Sequence, residues 1–196
     1  MPEESQQKLE HYLSLLRKWQ RSINLVGPDT LDDAWRRHIE DSTQLADMIP
    51  AGAIVFDLGS GAGFPGLALA MIRPDLDVTL VESDTKKCTF LSTVSRETKT
   101  PVHILNQRIE SLESDLIPVI ITARALAPLD KLLTYCQPWA KINPALEMLF
   151  LKGRRAEEEL AAARTLYDFN ATLYPSLTDS EGRIVRISNL IIKTGD

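Results

Sequence analysis

Residues 4 to 23 carry Leu9, Tyr12, Leu13, Leu16, Trp19 and Ile23 at helical spacing, with Lys8, Arg17, Lys18 and Arg21 on the other face. A repeat of about 3.6 residues predicts an amphipathic helix over 4–23. Asn24 to Pro28 breaks that pattern. Thr30, with Asp33 following it, has the form of a capping box and predicts a second helix to about Met48, stopped by Pro50 and Gly52. No Gly/Ser-rich linker follows. Residues 1–50 therefore read as a helical cap on a single domain spanning 1–196, with its core at 51–196.

From Ala53 onward, short aliphatic blocks alternate with helical stretches. The expected strands are 53–58, 78–82, 102–106, 118–122 and 147–152, and the expected helices 65–73, 84–98, 128–141 and 155–167. Such alternation implies βαβ units, right-handed crossovers and a parallel sheet with helices on both faces. The end departs from it: 169–174 and 183–193 read as strands joined by Ser176-Leu-Thr-Asp-Ser-Glu-Gly182, an antiparallel hairpin. An α/β, doubly wound sheet closed in this way is similar to the seven-stranded, Rossmann-like fold of class I S-adenosylmethionine-dependent methyltransferases.

Candidate chemistry concentrates between Ile54 and Ala70. A buried strand ends at Asp57, a turn carries Gly59, Gly61, Gly63 and Gly66, and an apolar helix opens straight after. Backbone N–H groups and a helix N-terminus converge there. Glycine serves because the turn visits positive φ and a ligand must approach the bare backbone. Pro65 suits a first helical turn, where an N–H would go unpaired.

Gly61-Ala-Gly63-Phe-Pro-Gly66 also has the form of a dinucleotide site, with Glu82 as the ribose acceptor, so Glu82 does not separate the two cofactors. Three features favour the methyl donor. Asp57, in the pattern Asp-x-Gly-x-Gly, suits the charged amino-acid end of S-adenosylmethionine. Phe64-Pro65 is bulky where a pyrophosphate needs close approach, and the hairpin does not fit a wholly parallel sheet. Ligands of open α/β sheets sit past the carboxyl ends of strands, which adds Ser83, Arg108, Ile109, Glu110, Arg124, Ala125, Lys152 and Gly153. Ile109 and Glu110 are placed to give an adenine an apolar wall and a polar contact. Glu110 reads equally as an acid favoured at a helix N-terminus.

Composition narrows the partner. At 196 residues, 44% of them apolar, the chain can bury a full core, and no apolar run is long enough to span a membrane. The polar start, Met1-Pro-Glu-Glu-Ser, is unlike a signal peptide. Cys88 and Cys136 fall in expected helices as free thiols, so a cytoplasmic location is expected, and the protein is expected to act as a monomer. A net charge of −5 argues against nonspecific nucleic-acid binding by the whole surface. Nucleic acid would be met by a local basic surface, and Lys152, Arg154 and Arg155 are the expected phosphate contacts, which position without reading sequence.

His38, Asp41 and Ser42 share one helix face; with Arg37 they either line the rim and touch RNA, or pin the helix to the glycine turn. Arg124 balances a carboxylate, holds a phosphate or makes a structural ion pair. Trp19, Trp35 and Trp139 read as packing. The stretch Ala123-Arg-Ala-Leu-Ala-Pro128 lacks the Asn/Asp-Pro-Pro-aromatic motif of amine methylation, and both cysteines lie away from strand ends where a carbon-methylating nucleophile would sit. No general base and no metal site stand out. An acceptor with a lone pair and no proton to lose, such as guanine N7, needs only alignment.

At this point the chain resembles the RsmG/GidB family of bacterial methyltransferases that modify guanine N7 in the decoding region of small-subunit (16S) rRNA. The resemblance rests on Asn24-Leu-Val, Arg37-His-Ile-Glu-Asp-Ser42, Asp57-Leu-Gly-Ser-Gly-Ala-Gly-Phe-Pro-Gly66, Val81-Glu-Ser, Lys86-Lys87, Phe90-Leu91, Arg108-Ile-Glu110, Arg124-Ala125 and Leu151-Lys-Gly153. It implies S-adenosylmethionine as cofactor, 16S rRNA or the small ribosomal subunit as partner, and cofactor contacts at Gly59, Phe64, Ile109, Glu110 and Arg124. Ala123 and Glu82 depart mildly, standing where serine is frequent and where aspartate also occurs. The alternatives are a small-molecule or protein methyltransferase, and a non-catalytic assembly factor that holds the cofactor as a structural ligand.

Overall fold

The computed structural model describes residues 1–112 and 115–193; 113–114 and 194–196 of the expected core range lie outside the described residues. Helix α1 (Glu3–Trp19) is followed by a π-helical stretch, Trp35–Glu40, that runs into the single turn α2 (Asp41–Thr43). The core then alternates: β1 (Ile54–Leu58), α3 (Gly66–Ile72), β2 (Asp77–Val81), α4 (Thr85–Glu97), β3 (His103–Leu105), β4 (Ile120–Arg124), α5 (Leu129–Ile142), β5 (Glu147–Lys152) and α6 (Ala156–Ala163). Strands β6 (Tyr167–Pro175) and β7 (Arg183–Ile192) close it as an antiparallel hairpin. The seven strands take the order β3-β2-β1-β4-β5-β7-β6, the first five parallel and β7 antiparallel to β5.

Each face of the sheet carries its own apolar layer. One joins α1, α3 and α4 to the sheet; the other joins α5, α6 and the hairpin to Phe56, Met148 and Phe150. In α1, Leu9, Tyr12 and Leu16 are fully buried in the first layer. At roughly 1.5–3 kcal/mol per buried large apolar side chain, that stripe alone fastens the helix to the core. The three tryptophans pack: Trp19 tilts against Phe90, Trp139 sits edge-on to Phe56, and Trp35 lies against the first layer.

The N-terminal region differs most from expectation. Helix α1 stops at Trp19, not residue 23, because the Gln20 amide captures the chain beyond it. Gln20 Oε1 accepts from the N–H groups of Leu25 and Val26, and its Nε2 donates to the Val26 carbonyl. The expected capping box at Thr30 does not form. Thr30 sits in the short 3-10 turn Pro28–Thr30 and donates its hydroxyl to the Gly27 carbonyl at 2.6 Å. Helix begins only at Trp35, in the wider π register, and ends at Thr43 before a further 3-10 turn, Ala46–Met48. In the core, α6 ends at Ala163, short of 167. Strand β6 starts early because the Tyr167 hydroxyl hydrogen-bonds Thr134 and Gln137 on α5.

Candidate active site

Strand order reverses between β1 and β4, and a cavity of about 890 Å³ opens past their carboxyl ends. One wall is backbone. Gly59, Gly61 and Gly63 have φ of 62°, 56° and 95°, which lets the turn after β1 curl without Cβ strain. The turn is tied to β2 twice, by the Ser60 N–H donating to the Val81 carbonyl and by the Gly61 N–H donating to Glu82 Oε2 at 2.9 Å. Glu82 Oε1 accepts from the Asp84 N–H at 2.8 Å. A largely buried carboxylate fixed through both oxygens to backbone N–H groups still has lone pairs to offer as acceptors at the cavity wall. Ala125, past β4, also holds a positive φ of 52°, a conformation that concentrates at functional sites.

Asp57 is placed differently from the sequence expectation. Instead of facing the amino-acid end of a cofactor, it is fully buried beneath the turn and outside the cavity lining. Its Oδ2 accepts from the Gly66 N–H at 3.1 Å and its Oδ1 from the Thr122 hydroxyl at 2.9 Å. The carboxylate thus caps the start of α3 and bridges to β4. Burial pushes its pKa up to about 6, against the hydrogen bonds from Thr122, Gly66 and Ser60. Gly66 is required by this packing and not by φ: a Cβ there would stand 2.6 Å from the Asp57 Cβ and 2.7 Å from Leu80 Cδ2.

The other wall is made of side chains. Tyr12 from α1 donates its hydroxyl to the Ala62 carbonyl and stacks on Phe64, with ring centres 5.0 Å apart. His38 stacks on the same ring at 5.1 Å, and the Arg124 guanidinium lies 5.0 Å over it. Arg124 donates to the Arg37 carbonyl at 3.0 Å, to His38 Nδ1 at 3.1 Å and to Asp41 Oδ2 at 3.3 Å. The π register accounts for the first contact: the Asp41 N–H reaches back to the Arg36 carbonyl, and the Arg37 carbonyl accepts from Arg124.

This network fixes the tautomer of His38. Thr30 gives its proton to Gly27, so it accepts from His38 Nε2 at 2.8 Å, while Nδ1 accepts from Arg124. His38 is neutral, its pKa lowered to about 4 by burial first and by Arg124 and Arg37 next. It is a pin. Ser42 donates to the His38 carbonyl at 2.6 Å within the same turn, so this helix face holds the glycine turn through Phe64 and Arg124.

Of the expected site residues, Gly59, Gly61, Phe64, Glu82, Ile109, Glu110, Arg124, Arg37, His38, Lys152, Arg154 and Arg155 all line this one cavity. Glu110 accepts from Tyr135 at 3.1 Å, and its own N–H with that bond lowers its pKa. Lys152 is not a free cation: Nζ sits 2.6 Å from Glu159 and donates to the Ala127 carbonyl at 2.9 Å. Arg37, Arg154 and Arg155 are exposed.

Sequence reasoning missed Leu126, which packs against Gly59, and the loop between β6 and β7. In that loop Thr178 donates to Asp41 Oδ1 at 2.8 Å, and Gln44 donates to Ser176 and accepts from the Leu177 N–H. No local pattern marks these residues, because their partners lie more than a hundred positions away.

A glycine turn after β1, a fixed acid after β2 and a sheet closed by an antiparallel β7 define the Rossmann-like class I fold of S-adenosylmethionine-dependent methyltransferases. The crystal structure of a SAM-dependent methyltransferase from Aquifex aeolicus matches with a TM-score of 0.62 at 15% identity, over 83% of this chain and 96% of that one. An rRNA methylase from Streptococcus thermophilus gives 0.57 at 15% identity, over 75% and 92%. At these identities the fold is what is shared. The chain belongs to the GidB family, rRNA small subunit methyltransferase G, which matches residues 5–184. It is 50% identical over 185 residues to ribosomal RNA small subunit methyltransferase G of Paramagnetospirillum magneticum, covering 94% of this chain and 88% of the relative. The protein of that name from Gluconobacter oxydans is 43% identical over 186 residues, covering 95% and 94%.

Proposed function

We propose that the chain, as one cytoplasmic, monomeric domain, transfers a methyl group from S-adenosylmethionine to N7 of a guanosine in the decoding region of 16S rRNA. The observation that carries this reading is a single cavity with Glu82 and the glycine turn on one wall and exposed Arg37, Arg154 and Arg155 at its edges. Among the described residues no helix is long and apolar enough to cross a membrane.

S-adenosylmethionine supplies an electrophilic methyl group on a sulfonium. Glu82 and the turn from Gly59 to Gly63 would hold its nucleoside portion, and Ile109, half-buried at the edge, its base. The guanine N7 lone pair forms the new bond to carbon as the sulfonium–carbon bond breaks, and no proton leaves. The chemistry therefore needs alignment and no base, which agrees with a His38 held neutral and saturated. Arg154 and Arg155 would hold phosphates flanking the target.

The test is transfer of isotope-labelled methyl from S-adenosylmethionine to purified small subunits, followed by nucleoside analysis. Label in 7-methylguanosine is expected, and Glu82→Ala should weaken cofactor binding about 100-fold through loss of a charged acceptor. Tight cofactor binding without transfer to any rRNA would identify a non-catalytic binder instead.

A further inference from the structure

The loop between β6 and β7, which borders the cavity through residues on either side of its tip, carries a leucine that the fold presents to solvent without packing it. Leu177 is 81% exposed, the most exposed of the large apolar residues. Its neighbours Ser176 and Thr178 both line the cavity. An exposed leucine on a mobile loop would mean little, but this one is held from both sides. The Leu177 N–H donates to Gln44 Oε1 at 2.9 Å, Gln44 Nε2 reaches the Ser176 hydroxyl at 3.3 Å, and Thr178 donates to Asp41 at 2.8 Å. Asp41 in turn holds Arg124, over Phe64 of the glycine turn. The position of Leu177 is thereby tied to the cofactor wall.

Charge limits what this loop can meet. Lys152 of β5 pairs with Arg183 of β7, so Arg154 and Arg155 border the same side of the mouth as the loop. The loop itself bears exposed Asp179 and Glu181, which repel phosphates. A phosphate backbone held at Arg154 and Arg155 leaves the loop to meet bases, and an apolar tip suits that task. In A-form RNA the major groove, where N7 lies, is too deep and narrow for side chains, so a guanine must leave its stack to enter a cavity. Apolar side chains wedge into base steps in nucleic-acid complexes.

We propose that Leu177 is an acceptor-positioning residue, a wedge that takes the stacking place vacated when the target guanine enters the cavity. The inference rests on the rRNA reading above.

Single-turnover transfer to small subunits, cofactor affinity, and fluorescence of 2-aminopurine placed beside the target guanine in an rRNA fragment test it together. Leu177→Ala should slow transfer at least about tenfold and diminish the fluorescence rise that reports unstacking, with cofactor affinity kept within about twofold. Leu177→Met should restore most of both. Full-rate transfer by Leu177→Ala, an undiminished fluorescence rise, a matching loss of cofactor affinity, or Leu177→Met as slow as alanine would each overturn the wedge. Wild-type protein that methylates no rRNA guanine would overturn the function itself, a failure visible before any variant is made.

Discussion

The two walls of the cavity are built by different means. The glycine-turn wall is tied by backbone N–H groups that donate to carboxylates close in sequence: Gly66 to Asp57 spans 9 residues and Gly61 to Glu82 spans 21. The opposite wall is made of side chains drawn from distant segments: Arg124 to Asp41 spans 83 residues and Thr178 to Asp41 spans 137. A wall of local backbone geometry holds its shape by steric fit. A wall of long-range hydrogen bonds holds its shape only while every partner is present. Substitutions should therefore act on the first through packing and on the second through loss of order.

Packing should give the largest effect. Gly66→Ala would drive a methyl group into Asp57 and Leu80, and a loss of about 3 kcal/mol or more is expected in urea unfolding. Gly61→Ala sharpens the point, because its Cβ would meet nothing nearer than 3.8 Å. There only positive-φ strain remains, about 1 kcal/mol. Next comes the long-range wall. Asp41→Ala removes the partner of Arg124, Thr178 and Gln44 together, and a loss of about 2 kcal/mol is expected. Amide exchange should quicken across residues 176–182 while β1 and β2 stay protected.

The walls should also respond to pH with opposite sign. His38 has a folded pKa of about 4, below its ordinary 6.5. Its stabilising contribution is complete above pH 6.5 and is lost as pH falls toward 4, because the unfolded chain takes up the proton first. Asp57 has a folded pKa of about 6, above its ordinary 3.8, so its contribution grows as pH falls through 6 toward 3.8. The two nearly cancel in wild-type protein between these limits. His38→Gln should gain stability relative to wild type as pH falls through this window, and Asp57→Asn should lose it, each by about 2–3 kcal/mol. Urea midpoints measured from pH 4 to 7 check both signs.

The smallest effect lies at the rim. Replacing Arg154 and Arg155 with alanine should lower the salt dependence of small-subunit binding by about 2 in logarithmic slope, with cofactor affinity unchanged. An unaltered slope would move the phosphate contacts elsewhere.

The same division decided what could be read from sequence. The strands, α3 to α5 and the hairpin announced themselves by period, and Gly59, Gly61 and Glu82 by spacing, because local rules determine them. Asp57 was legible as a strand-end acid, but which way it faced depended on Gly66 and Thr122 across the turn. The stretch from Thr30 to Thr43 misled. Thr30 has the right chemistry for a cap, but its hydroxyl serves Gly27 and its oxygen serves His38, and tertiary demand from Arg124 meets a π register that local propensity does not encode. Lys152 looked like a free cation because Glu159, its partner, sits on the following helix.

Comparing 7-methylguanosine across 16S rRNA from cells with and without the gene tests the central claim most directly. One position in the decoding region should be methylated only when the gene is present, and restored by the wild-type gene but not by Glu82→Ala. An identical map in both strains would contradict the assignment of N7 methyl transfer to this cavity.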